Sequence, residues 1–143
     1  MRKLLKDAGL DQRITCDSSG TISSHHGNAP DPRMSVAGKR RGLPMTGSAR
    51  CTTANDLKKF DLIVPMDNAN GADLKQIDKD GAAANKIHPF CSFCTKHDDT
   101  EVPDPYYGGE QGFEHVLDLL EDGCQQILKQ LQDTPHNGPL ENR

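Results

Sequence analysis

Residues 60–70 read FDLIVPMDNAN, and the reading of that run decides the fold class. Leu62, Ile63 and Val64 are apolar without polar alternation, the pattern of a strand covered on both faces, as parallel strands are. Pro65 cannot donate to a ladder, which places it near the strand's exit. Asp67 and Asn70 then fall at the turn into a short helix predicted over 68–79.

On the upstream side, Thr53 to Phe60 opens as a helix, with Thr53 as cap and Asp56 three residues on in a loose capping box. Asp31-Pro32 is a second helix start, an acid at the N-cap and proline at the first helical position. That helix is predicted to run to about Arg41 and stop at Gly42. Arg13 to Asp17 reads as a short strand that leads into a polar loop reaching Pro30. Residues 2–10 read as the last turns of a helix, stopped by Gly9.

Downstream, residues 86–90 read as a last strand and 91–110 as loop. Phe113, Val116, Leu117, Leu120, Cys124, Ile127, Leu128 and Leu131 then recur at helical spacing, with Glu114, Asp118, Glu121 and Asp122 assigned to the opposite face. Alternating strand and helix predicts an α/β three-layer sandwich on a small parallel sheet. One domain over 1–133 and a polar tail over 134–143 complete the expected organisation. In such sheets ligands bind beyond the carboxyl ends of the strands. That rule gathers Asp17-Ser18, Asp67 and the loop around Asp104.

Composition narrows the function classes. The 143 residues hold 21 Asp and Glu against 17 Lys and Arg, for a formal charge of −4. A nucleic-acid binder normally carries a basic excess, so none is expected as a partner. No stretch approaches the roughly 20 apolar residues of a membrane span. The charged start, Met1 to Asp7, does not resemble a signal peptide, and five cysteines suit a reducing compartment, so the expected setting is cytoplasmic. Leu, Ile, Val and Phe make up only 27 of the 143 residues, a thin supply for a core.

The stretch VPDPYYGGE, residues 102–110, carries the chemistry. Prolines on both sides push Asp104 toward extended geometry. A carboxylate held that way can serve as general acid or base, and Tyr106 and Tyr107 can wall an aromatic slot. The plain alternative is a proline-rich turn whose tyrosines pack on the following helix.

Five stretches in order resemble the low-molecular-weight protein tyrosine phosphatases. DPYYGG with the helix after it resembles the family's acid loop and last helix. CDSSGT (16–21), HHGNAPDPRM (25–34), RRGLP to SAR (40–50) and FDLIVPMDNAN (60–70) resemble its other elements. The match runs from residue 2 to about 131, and the wording of CSFCTKH and VPDPYYGGEQGFE is most similar to plant and algal versions.

The resemblance implies hydrolysis of phosphotyrosine proteins or small aryl phosphates through a phosphocysteine. Asp104 would be the general acid, Tyr106 and Tyr107 would line the slot, and Ser18 and Asp67 would support the site. It implies no metal and no cofactor. The family's nucleophile lies in C-x5-R-[ST], and this chain has none. The residues six beyond its cysteines 16, 51, 91, 94 and 124 are Ile22, Leu57, His97, Thr100 and Gln130.

RKLLKDAGL resembles the end of the family's first helix, so the expectation is a chain lacking the first, central strand of a four-stranded sheet and the phosphate loop, and therefore inactive as it stands. The alternatives are a non-catalytic relative acting by binding, or an arsenate-reductase-like activity. Arginine-phosphate phosphatases have a less aromatic acid loop, which disfavours that reading. Ser24 replaces a usual aromatic residue and Gly47 a histidine, leaving substrate preference and loop support open. Cys91, Cys94 and His97 have C-x2-C-x2-H spacing, one ligand short of a structural zinc site, so they are read as two loop cysteines with a redox pair as the alternative. His25 and His26 are read as exposed loop residues.

Overall fold

The computed structural model describes residues 1–134, with Tyr107 described by its backbone alone. The polar tail expected from 134 lies, from residue 135 onward, outside the described residues. Five α-helices are present: α1 (Arg2–Asp7), α2 (Pro32–Arg40), α3 (Ala54–Lys59), α4 (Asn68–Ile77) and α5 (Gly109–Asp133). Three 3-10 turns, Ala84–Lys86, Phe90–Phe93 and Pro105–Tyr107, lie between α4 and α5.

The helix starts follow their caps. Asp31 accepts from the Arg33 amide with Pro32 next to it. Thr53 and Asp56 form a reciprocal capping box, and Asp67 accepts from the Asn70 amide. Gly9 and Gly42, with φ of 68° and 69°, take the left-handed geometry that ends α1 and α2.

The expected strands are not formed as ladders. Among the described residues, strand pairing is reduced to two isolated parallel bridges, Gly20 with Cys51 and Ile63 with Ile87. Two bonds make the second bridge: the Ile63 amide donates to the Lys86 carbonyl at 2.9 Å and the His88 amide to the Ile63 carbonyl at 3.0 Å. The next rung is half made. Phe90 donates to the Pro65 carbonyl at 2.9 Å, but Pro65 has no N–H to return. Residues 86–90 are therefore a 3-10 turn, a bridge and the start of another turn rather than a strand. Arg13 to Asp17 contributes no bridge, and Leu62, Ile63 and Val64 are half-buried instead of covered on both faces.

Helix α5 is the spine of the packing. Phe113 and Leu117 close on Ala37 of α2, with Met34, Leu43 and Met45 around them. Ile127 packs with Phe90 and Cys91. A separate cluster of Leu57, Leu74 and Ala83 lies under Ile63 and Ile87. Arg41 fastens α2 to α5 by pairing with Glu114, with Asp118 at 2.8 Å and with Glu121 at 3.5 Å.

Asp122 does not belong to the solvent face. It is 4% exposed and accepts from the amides of Thr95 and Lys96 and from His97 Nδ1 at 2.9 Å. These bonds replace the water that a buried carboxylate loses. The segment expected as plain loop over 91–110 is thus tied to α5 by a charge.

Candidate active site

Asp104 is the first residue of a cap as well as a candidate acid. Its Oδ1 accepts from the Tyr106 amide at 3.0 Å, which starts the 3-10 turn Pro105–Tyr107. Pro105 at the first position of that turn loses nothing, since its missing N–H would have no partner there. The carboxylate is exposed, and its Oδ2 makes no hydrogen bond among the described residues.

Asp104 lines an open hollow of about 570 Å³ together with Asp67, Ala69 and residues 98–103. The structure therefore brings two of the expected residues, Asp104 and Asp67, to one wall. The hollow is built from two turns. The Val102 amide donates to the Met66 carbonyl at 2.8 Å, and the Glu101 carboxylate accepts from the Asn68 amide at the start of α4.

Ser18 is not on that wall. It is exposed, and its amide donates to Asp17 Oδ1 at 2.8 Å. That bond, reinforced by Arg50, holds the Asp17 carboxyl below its ordinary value although burial pushes the other way. Arg50 bridges Asp17 at 3.0 Å and Asp56 at 2.9 Å, so the turn at 17–18 is braced against α3.

Tyr106 is 60% exposed and is positioned by a residue that sequence reasoning overlooked. Arg33 donates to the Tyr106 carbonyl at 3.4 Å, and its guanidinium lies 5.1 Å from the centre of the Tyr106 ring and 4.8 Å from that of Phe113. Asp31 holds Arg33 in place through bonds of 3.2 and 3.0 Å. The signal was present in PDPRM, where an acid and an arginine two apart flank the first turn of α2. The helix cap and the likeness to a family segment are legible in that run, and the reach of Arg33 to Tyr106 is not.

The remaining singled-out residues fall elsewhere. Ser24, His25 and His26 are exposed. Gly47 has φ of 97°, a geometry that a histidine adopts only with strain. Cys91 and Cys94 are unbridged, and His97 is engaged by Asp122 and lies edge-on to His115 at 6.0 Å. Among the described residues, no three His, Cys, Asp or Glu side chains converge in a way that could hold a metal ion. Burial pushes up the thiols of Cys91, Cys94 and Cys124, Cys94 to about 11. That is the reverse of what an attacking thiolate needs.

Comparison with known proteins places this geometry. A sequence model described as low molecular weight phosphotyrosine protein phosphatase matches residues 1–137. A Synechocystis protein whose name puts it among the low molecular weight protein-tyrosine-phosphatases is 45% identical over 131 residues, covering 92% of this chain and 83% of the relative. The low molecular weight phosphotyrosine protein phosphatase of Schizosaccharomyces pombe is 36% identical, with 91% and 83% covered. A crystal structure of a protein tyrosine phosphatase from Entamoeba histolytica superposes with a TM-score of 0.86 at 40% identity, over 92% of this chain and 84% of that one. That likeness gives the chain the α/β fold class, although its strand pairing among the described residues is reduced to two parallel bridges. The chain belongs to the low molecular weight phosphotyrosine protein phosphatase family.

Proposed function

We propose that this chain carries the acid and substrate side of a phosphotyrosine phosphatase site, and that the attacking thiolate is not among its five cysteines. The observation that carries the reading is the cap at Asp104. One carboxylate oxygen is engaged by the Tyr106 amide, and the other has no hydrogen-bond partner among the described residues at the hollow that Asp67 shares. On that reading Asp104 protonates the leaving phenol oxygen. Tyr106 and Tyr107 flank the substrate ring, and Asp67 and Ser18 brace the surrounding turns. Phosphotyrosine proteins or small aryl phosphates are the substrates, in the plant and algal style that CSFCTKH suggests. The reading needs no metal or cofactor, and five unbridged cysteines support a reducing, cytoplasmic setting.

Two observations support an unfilled place for the nucleophile. No cysteine has arginine six residues on. The backbone groups of Leu62 and Val64, on the edge turned away from Ile87, have no backbone partner among the described residues, nor do those of Thr15, Cys16 and Asp17. A parallel strand between these two edges would satisfy both. Its exit would deliver a phosphate-binding loop beside Ser18 and Asp67. We accordingly take residues 1–133 as a domain completed by such a strand.

Hydrolysis of p-nitrophenyl phosphate tests the proposal. The 143-residue chain should show none. A version carrying a relative's strand and C-x5-R-[ST] loop ahead of Arg2 should turn over with a burst. Turnover by the chain alone that disappears in Cys51→Ser would overturn the proposal and make Cys51 the nucleophile.

A further inference from the structure

Cys91 and Cys94 are left unused by the phosphatase reading, yet they are placed as a pair. The 3-10 turn Phe90–Phe93 stacks side chains three residues apart on one face. The Cys94 amide closes the turn on the Cys91 carbonyl at 3.1 Å. One turn of such a helix separates the two Cα atoms by about 6 Å, inside the window of roughly 4.4–6.8 Å that a disulfide requires. The Cys94 thiol donates to the Leu119 carbonyl at 3.7 Å, which turns it into the cluster that holds Cys91. Cys91 is buried against Phe90 and Ile127, while Cys94 lies half-buried at the rim of the same cluster.

We propose that Cys91 and Cys94 form a reversible dithiol–disulfide pair, an oxidative modification site distinct from the phosphatase chemistry. The oxidant class is a small peroxide. The Cys91 sulfur, in the small thiolate fraction present, attacks one peroxide oxygen. The O–O bond breaks, hydroxide leaves and is protonated to water, and Cys91 becomes a sulfenic acid. The Cys94 sulfur then attacks the Cys91 sulfur. The S–O bond breaks, and the departing hydroxide takes the Cys94 proton as a second water. Two sulfurs have each lost one electron, and the peroxide has gained both.

Burial sets the tempo. Thiolates are scarce at neutral pH where burial raises both thiols, and a thiol of high pKa is also a poor leaving group when an external thiol attacks the disulfide. The pair therefore opens and closes slowly, responding to sustained oxidant rather than a brief pulse. Its position gives it leverage, since Thr95, Lys96 and His97 immediately follow and bind Asp122 of α5.

The experiment is peroxide treatment of the full chain, alkylation and peptide mass mapping. The tryptic peptide 87–96, IHPFCSFCTK, holds both cysteines and no other. It should lose two hydrogens, recover them with dithiothreitol, and form at least tenfold more slowly than cystine forms from free cysteine. Cys94→Ser should leave a Cys91 sulfenic acid that dimedone traps. The triple variant Cys16→Ser, Cys51→Ser, Cys124→Ser should still close the bond. If the variants fail to fold, the wild-type map alone decides. A bond from either cysteine to Cys16 or Cys124, or full alkylation of both after oxidation, overturns the proposal.

Discussion

Arg33 covers the face of Tyr106, its guanidinium 5.1 Å from the ring centre, while one of its N–H groups donates to the Tyr106 carbonyl at 3.4 Å. One side chain therefore fixes both the ring and the backbone of the residue whose amide engages Asp104. Arg33→Leu is expected to accelerate amide exchange at Tyr106 and Gly108 while leaving α5 protected. Arg33→Lys should behave like the leucine variant, because a point charge cannot reproduce the fork held by Asp31 or lie flat on two rings. Hydrogen exchange followed by mass spectrometry reads both outcomes.

Asp104→Asn keeps an acceptor for the Tyr106 amide but removes the acidic proton. Thermal stability should be unchanged. In a chain supplied with the family's thiolate loop, turnover of phenyl phosphate should fall by about 10²-fold or more. With p-nitrophenyl phosphate, whose leaving group needs no proton, the loss should be much smaller. Equal losses on the two substrates would remove Asp104 from the role of acid.

Burial alone would push the Asp122 carboxyl upward, yet bonds from His97, Lys96 and Thr95 outweigh it and hold it at about 2, below its ordinary 3.8. A carboxyl that ionises more readily folded than unfolded stabilises the fold above pH 4 and loses that contribution as pH falls toward 2. The size expected is about 2 kcal/mol. Acid titration of urea midpoints should show this loss in the wild type and not in Asp122→Asn. At neutral pH that variant should be destabilised by about 2–4 kcal/mol, having lost a buried charged acceptor.

Gly123 lies where α5 meets Phe90. A Cβ added there would stand 2.4 Å from Phe90 Cζ and 2.6 Å from Cε1. A ring that is 2% exposed has nowhere to retreat. Gly123→Ala should therefore cost about 1–3 kcal/mol despite the better helix propensity of alanine. Gly123→Ala in a Phe90→Leu background should cost less than the separate losses added together. A denaturant double-mutant cycle measures the difference.

What could be read in the sequence was what depends on neighbours along the chain. The caps at Asp31 and Thr53, the turn into a helix at Asp67, the glycine stops at Gly9 and Gly42, and the reach of α5 all follow from local chemistry, and all are present. The turn at Asp104 was legible for the same reason, since two prolines and a cap fix it from within five residues. The strands were not, because an apolar run such as Leu62 to Val64 becomes a strand only when a partner segment pairs with it over several residues, and Ile87 supplies a single bridge. Asp122 was misplaced by periodicity, which assigns an acid to solvent and has no means of counting the amides at 95 and 96 that converge on it. Arg33 was missed because its partner is 73 residues away.

The lone bridge at Ile63 has a further consequence, for the behaviour of the chain in concentrated solution. Among the described residues, Leu62 and Val64 present a short row of backbone donors and acceptors without backbone partners along one edge, beside half-buried apolar side chains. Such an edge is a template for another strand, and it does not distinguish a segment of the same molecule from one in a neighbouring molecule. The chain should therefore self-associate with rising concentration, and a short parallel-pairing peptide should suppress that association by occupying the edge.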